Sequence, residues 1–123
     1  IQKLGNNMEL EKTLRMNFLF SFYGELLTPK QAQHMAEYYE EDHTLAEIAD
    51  NHGVSRQAIY DSIKRAEEAL INYEEKLKFV EEFENRKQAL NNILNYVNET
   101  YQNDTKLMEL IEDVMQDSSG EGN

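Results

Sequence analysis

Ser55, Arg56, Gln57, Tyr60, Lys64 and Arg65 stand close together in the run SRQAIYDSIKR, residues 55–65. These are the residue types with which a recognition helix meets base edges in its first turns and phosphates further along. Nucleic-acid contact is therefore the first chemistry to weigh. The same types also serve protein docking, because arginine and tyrosine frequently anchor interfaces. The chain that carries them has a formal net charge of -12, which opposes binding to a polyanion.

Other chemistries find little support. His34, His43 and His52 are spaced nine residues apart, so no two share a helical face as metal ligands, and solvated or helix-end histidines are expected. The glutamates fall mostly on outward helix positions, which favours solubility over acid-base catalysis. Gly53 stands alone, so there is no phosphate-cradling glycine loop, and no serine has a base near it in the pattern. Cysteine is absent, which excludes disulfides and thiolate metal sites and fits a reducing compartment. The expectation is a protein without catalytic residues, metal or cofactor, and not an enzyme.

Positioning the 55–65 side chains requires helices, and the punctuation marks them out. With 123 residues and 40% hydrophobic content the chain can bury one modest core. Pro29 is the sole proline, and Gly53 is the sole glycine between Gly24 and Gly120. A first helix is expected over 9–27, with Leu10, Leu14, Phe18, Phe22 and Leu26 at four-residue steps and Leu19 and Tyr23 beside them on a face that seeks a core. Met16 and Phe20 widen that surface towards burial on two sides. The alternation of Phe18, Phe20 and Phe22 also fits a strand, but no turn residue separates it from the helical pattern.

Thr28, Pro29 and Gln31 form a capping box that starts a helix over 29–40, with Ala32, Met35, Ala36 and Tyr39 inward. Thr44 and Glu47 form a second box. Leu45, Ile48 and Ala49 then face a core, Gly53 turns the chain, Val54 plugs the corner, and Ser55 caps the next helix. With Ile59 and Ile63 inward, residues 44–65 have the plan of a helix-turn-helix. His52 departs from it, since an apolar residue is commoner there.

Beyond Ile63 the apolar residues Ala66, Leu70, Tyr73, Leu77 and Val80 continue at steps of four and three, and Phe83, Leu90, Ile93, Leu94 and Val97 prolong the stripe. An unbroken helix over 55–98 would be roughly 66 Å long at 1.5 Å per residue. Such a stripe must be covered by a fold-back of the chain, by residues 10–27 of the same subunit or by a second copy, of which a homodimer is the preferred expectation. A kink within 84–92, ENRKQALNN, is the alternative. A last helix over 105–116 is capped by Asp104 or Thr105 and serves as a clasp or a docking segment. Residues 1–7 are expected to be an expression remnant or disordered, and 117–123 a disordered tail. The fold class is thus all-α: a helical domain over 8–65, a long extension over 66–98 and the short final helix.

The acidity is unevenly spread. Over 44–65 Arg56, Lys64 and Arg65 balance Glu47, Asp50 and Asp61, whereas over 66–99 Lys76, Lys78, Arg86 and Lys87 face twice as many acids. The excess lies away from the reading helix and is largely screened beyond about 8 Å at physiological salt. Even so, Arg56, Lys64, Arg65 and Lys30 are few for neutralising phosphates, and Asp61 repels them. A competing expectation is therefore an adaptor that docks on a basic protein through its acidic helical surface.

The segments TLRMNFLFSFYGELLTPKQ, LAEIADNHGVSRQAIYDSIKR and YEEKLKFVEEFENRKQ together resemble the YlxM-like family of small bacterial helix-turn-helix proteins, which are similar to region 4 of sigma factors. The resemblance covers residues 8–97. It implies a regulatory role linked to the signal recognition particle, whose targeting GTPase genes lie beside those of the family. The implied partners are that GTPase, the particle's RNA, DNA, or a combination. Promoter reading in the manner of a sigma factor is the weaker analogy. No apolar run approaches the roughly 20 residues that span a bilayer, and no signal-peptide plan is present, so a cytoplasmic protein without membrane insertion is expected.

Overall fold

The computed structural model describes residues 7–117, and all their regular structure is helical. Expectations for 1–6 and 118–123 lie outside the described residues. Two compact units divide at Lys78 and Phe79.

The first unit packs three helices on a fourth. Helix α1, Asn7–Tyr23, ends in a single 3-10 turn, Gly24–Leu26. Helix α2, Pro29–Met35, starts at the expected box: Gln31 N donates to Thr28 Oγ1 at 3.2 Å, and Thr28 N donates to Gln31 Oε1 at 3.3 Å. It continues as a π-helical turn, Ala36–Glu40, in which Glu41 N reaches back five residues to Ala36 O at 3.0 Å. Helix α3, Leu45–His52, and helix α4, Arg56–Leu77, complete the unit. Met16, Leu19 and Tyr23 of α1, Met35 of α2, Tyr38 of the π turn, Ile48 of α3, and Ile59, Ile63, Ala66 and Leu70 of α4 are buried, and α4 receives α1, α2 and α3. Full burial of each isoleucine is worth about 1.5–3 kcal/mol, so α4 is held chiefly by this one face.

Of the wide apolar surface expected on α1, the flank that carries Met16, Leu19 and Tyr23 enters the core rather than the four-residue stripe beside it. Leu10, Leu14, Phe18 and Leu26 are exposed, while Met16, Leu19 and Tyr23 are buried. The reason is spacing: residues at i, i+3 and i+7 share one face as surely as those at i, i+4 and i+8, and α1 has both stripes.

The continuous helix expected over 55–98 does not form. Lys78 adopts the left-handed conformation at φ 58° and ends α4, and no break falls within 84–92. A positive φ in a non-glycine residue costs free energy, so α4 ends at a strained position.

The second unit is a helical hairpin. Helix α5, Phe79–Thr100, is followed by helix α6, Thr105–Asp117, and the two pack together. Of the two caps anticipated for α6, Asp104 is the one used: its Oδ1 accepts from Leu107 N at 3.0 Å. Val97 and Ile111 are buried, whereas Ile93, Tyr96, Leu110 and Val114 are exposed.

Candidate nucleic-acid interface

The turn that presents α4 is built from backbone hydrogen bonds. Thr44 and Glu47 close the box that starts α3, with Glu47 N donating to Thr44 Oγ1 at 3.1 Å and Thr44 N to Glu47 Oε1 at 3.0 Å. At its other end Val54 N donates to Ala49 O at 3.1 Å and Gly53 N to Asp50 O at 3.4 Å, the paired bonds of a Schellman stop. Gly53 makes this possible at φ 63°, a conformation that glycine adopts without strain. Ser55 Oγ then accepts from Ala58 N at 3.0 Å and starts α4.

With Ile59 and Ile63 wholly buried, the other faces of α4 are set. Arg56, Gln57, Lys64 and Arg65 are exposed and Tyr60 is half-buried, so five of the six candidate side chains are presented on one helix and the sixth, Ser55, at its cap. They do not form one patch. Arg56 lines a cleft of about 600 Å³ with Tyr38, Asp42, His43 and Thr44. Arg65 lies in a different cleft, of about 400 Å³, with Lys30 and Gln31 of α2. Gln57 Nε2 donates to Asp61 Oδ1 at 3.0 Å, which occupies part of the carboxylate that opposes a phosphate. Ser55 is chiefly a cap, and only its O–H proton is left to donate to a ligand. Val54 does not plug the corner: it is 39% exposed and lines the cleft that holds Arg65.

Behind this surface lie polar groups that the residue pattern did not reveal. His34 is buried, not solvated; its Nδ1 lies 2.7 Å from Ser62 Oγ of α4, and its ring meets His52 of α3 edge to face at a centroid distance of 4.9 Å. His52 Nε2–H in turn donates to Glu37 Oε2 at 2.6 Å, since an ionised carboxylate only accepts. Burial lowers the His34 pKa below its ordinary value, and the neighbouring His52 and Lys30 act in the same direction against Glu37. Among the described residues no group of three or more His, Asp and Glu side chains has the arrangement of a metal site. His52 standing where an apolar residue is usual was the available sign of this cluster.

Two acids on α4 are likewise buried, contrary to the outward placement expected of glutamates. Glu67 accepts from Tyr39 Oη, and Glu74 accepts from Tyr23 Oη at 2.5 Å. Tyr38 is pushed up to about 12 by burial and by Glu67 and Asp42, and Tyr39 is raised further by burial and its bond to Glu67. The expected inner residue Tyr39 is thus a hydrogen-bonding group, and Tyr38 is the one that enters the core.

Residues 10–114 match the family described as "UPF0122: Putative helix-turn-helix protein, YlxM / p13 like". A UPF0122 protein of Geobacillus sp. (strain WCH70) is 49% identical over 105 residues, 85% of this chain and 96% of that protein. A UPF0122 protein of Limosilactobacillus reuteri (strain DSM 20016) is 49% identical over 104 residues, 85% of this chain and 92% of that protein. The UPF0122 protein YlxM of Bacillus subtilis (strain 168) is 54% identical over 86 residues, 70% of this chain and 78% of that protein. Among the described residues no helix is long and apolar enough to cross a membrane.

Proposed function

From the premise that this chain belongs to the UPF0122 family of helix-turn-helix proteins, we propose that it is a non-enzymatic regulatory protein that binds nucleic acid through α4. Ser55, Arg56, Gln57, Tyr60, Lys64 and Arg65 are its contact residues. One observation carries this reading: after Gly53 at φ 63°, α4 buries Ile59 and Ile63 and leaves Arg56, Gln57, Lys64 and Arg65 open to solvent. The resemblance to the YlxM-like and sigma region 4-like proteins supports the same use of the helix pair. It also supports a place in the signal recognition particle pathway in the cytoplasm, with the particle's RNA or DNA as ligand. A homodimer answers the cation shortage, because two copies double the phosphate contacts. The exposed Leu10, Leu14 and Phe18 of α1 are an apolar stripe that a second copy can cover.

Titration of labelled duplex DNA and of the particle's RNA at two salt concentrations tests the proposal. Binding that weakens with salt and is lost in Arg56→Glu is the expected result, and no binding to either at low salt rejects it. Sedimentation of the wild type against Leu14→Glu tests the dimer.

The acidic excess favours a second reading, in which the chain is an adaptor that docks on the particle's GTPase. Glu109, Glu112, Asp113 and Asp117 on α6 oppose a single Lys106. Such an adaptor tolerates Arg56→Glu and loses its partner when residues 105–123 are deleted, which is the opposite of what the first reading requires.

A further inference from the structure

We propose that the cleft between α2 and α4 is an oxyanion site that receives a phosphate group, held by Lys30, Ser62 and Arg65. The cleft measures about 400 Å³ and is open to solvent on the flank of α4 away from Arg56. That volume is within the range of small-ligand sites. Val54, Ala58 and Ile59 add apolar lining, which suits a phosphate that carries an organic group.

The donor set follows from the buried histidine in its wall. His34 is 3% exposed, Nδ1 faces Ser62 Oγ, and Nε2 is buried without a hydrogen-bond partner. A buried N–H without an acceptor is rarer and costlier than a lone pair without a donor, so the proton belongs on Nδ1 and is donated to Ser62 Oγ. Ser62 Oγ thereby accepts, and its own O–H is left to donate. Ser62 is only half-buried and lines the cleft, so that proton is available to a ligand oxygen. Lys30 and Arg65, both exposed, supply positive charge from α2 and from α4. The opposing acid is Asp61, and one of its oxygens already accepts from Gln57. Two cations and a directed hydroxyl against one partly engaged carboxylate select an oxyanion over a cation or a neutral ligand, and arginine is matched to phosphate geometry.

The site goes beyond the base-reading face, with which it shares only Arg65. A phosphate can come from a nucleic-acid backbone or from a free nucleotide, and the two sources are separable. The full chain is titrated with inorganic phosphate against sodium chloride of equal ionic strength, followed by the backbone amide resonances of Gln31, Ser62 and Arg65. Saturable shifts are expected with phosphate alone, weakened about fivefold or more in Lys30→Ala and in Ser62→Ala and retained in Lys12→Ala, at an exposed cation of α1 that does not line the cleft. In a parallel arm, duplex DNA is titrated at several salt concentrations. A salt slope that falls by about one in Lys30→Ala assigns the bound phosphate to the nucleic-acid backbone. An unchanged slope, with adenosine monophosphate saturating the same amides, assigns it to a free nucleotide. Phosphate shifts that match those of chloride, or that persist undiminished in Lys30→Ala, overturn the site. Saturation by phosphate without binding of either duplex DNA or the particle's RNA removes the base-reading proposal and leaves this one standing.

Discussion

The α1–α4 unit and the α5–α6 hairpin use comparable side chains in different ways. In the first, Leu19, Met35, Ile48, Ile59, Ile63 and Leu70 are essentially removed from water. In the second, Val80 and Val97 are buried, but Ile93, Leu110 and Val114 remain about half exposed and Ile111 is buried only at the margin. A helix that receives three neighbours can hide a whole face, whereas two paired helices leave much of each apolar stripe uncovered. Amphipathic pattern alone therefore does not measure how firmly a segment is held; the number of partners does.

The sharpest test of that comparison sets one truncation in each unit. Ile63→Ala is expected to cost about 2–5 kcal/mol in urea unfolding, because it opens a cavity in a closed core. Leu110→Ala, at a residue 50% exposed, is expected to cost less than about 1 kcal/mol. Equal losses would erase the distinction.

Next in size is Tyr39→Phe, which removes the donor to buried Glu67 and is expected to cost about 1–3 kcal/mol by the same measurement.

Within the first unit, the left-handed ends of α3 at Gly53 and of α4 at Lys78 compare a glycine stop with a lysine stop. Gly53→Ala meets no atom within 4 Å of the new Cβ, so its expected loss of about 1–2 kcal/mol comes from conformation alone. Lys78→Gly, at φ 58°, is expected to stabilise by up to about 1 kcal/mol. If both substitutions destabilise, the account of Lys78 as a strained stop fails.

The smallest effect is a pH dependence confined to the first unit. The folded-state pKa of His34 lies below the ordinary value of 6.5, with His52 and Lys30 lowering it further and Glu37 opposing them. The unfolded chain then binds the proton more readily. Stability is full above that ordinary value and declines as the pH falls from it to the lowered one. Thermal melts across this range should show the decline in the wild type, and its loss in His34→Gln measures the contribution of this residue. Asp61 and Arg65 also line the cleft beside His34, so the comparison is made at constant ionic strength.

Much of the reading helix was legible before any coordinates. Thr28 with Gln31 and Thr44 with Glu47 act through atoms three residues apart, and Gly53 answers a local conformational need. These signals are complete within one turn of chain and survive whatever packs around them. The stripes were legible only as stripes. Whether Leu14 or Leu19 of α1 enters the core depends on which side α4 approaches, and no local rule states that.

By itself, then, the chain of residues determined its helices, their caps, the turn at Gly53 and the inward set of Ile59 and Ile63, because each depends on interactions within a few residues. Tertiary structure alone decided the burial of Glu67 and Glu74 against tyrosines and the meeting of His34, His52 and Ser62 from three helices. Those features join residues from 18 to 51 positions apart. Bringing such distant groups together depends on how helices pack, and a one-dimensional pattern records which faces seek burial but not which neighbour they meet.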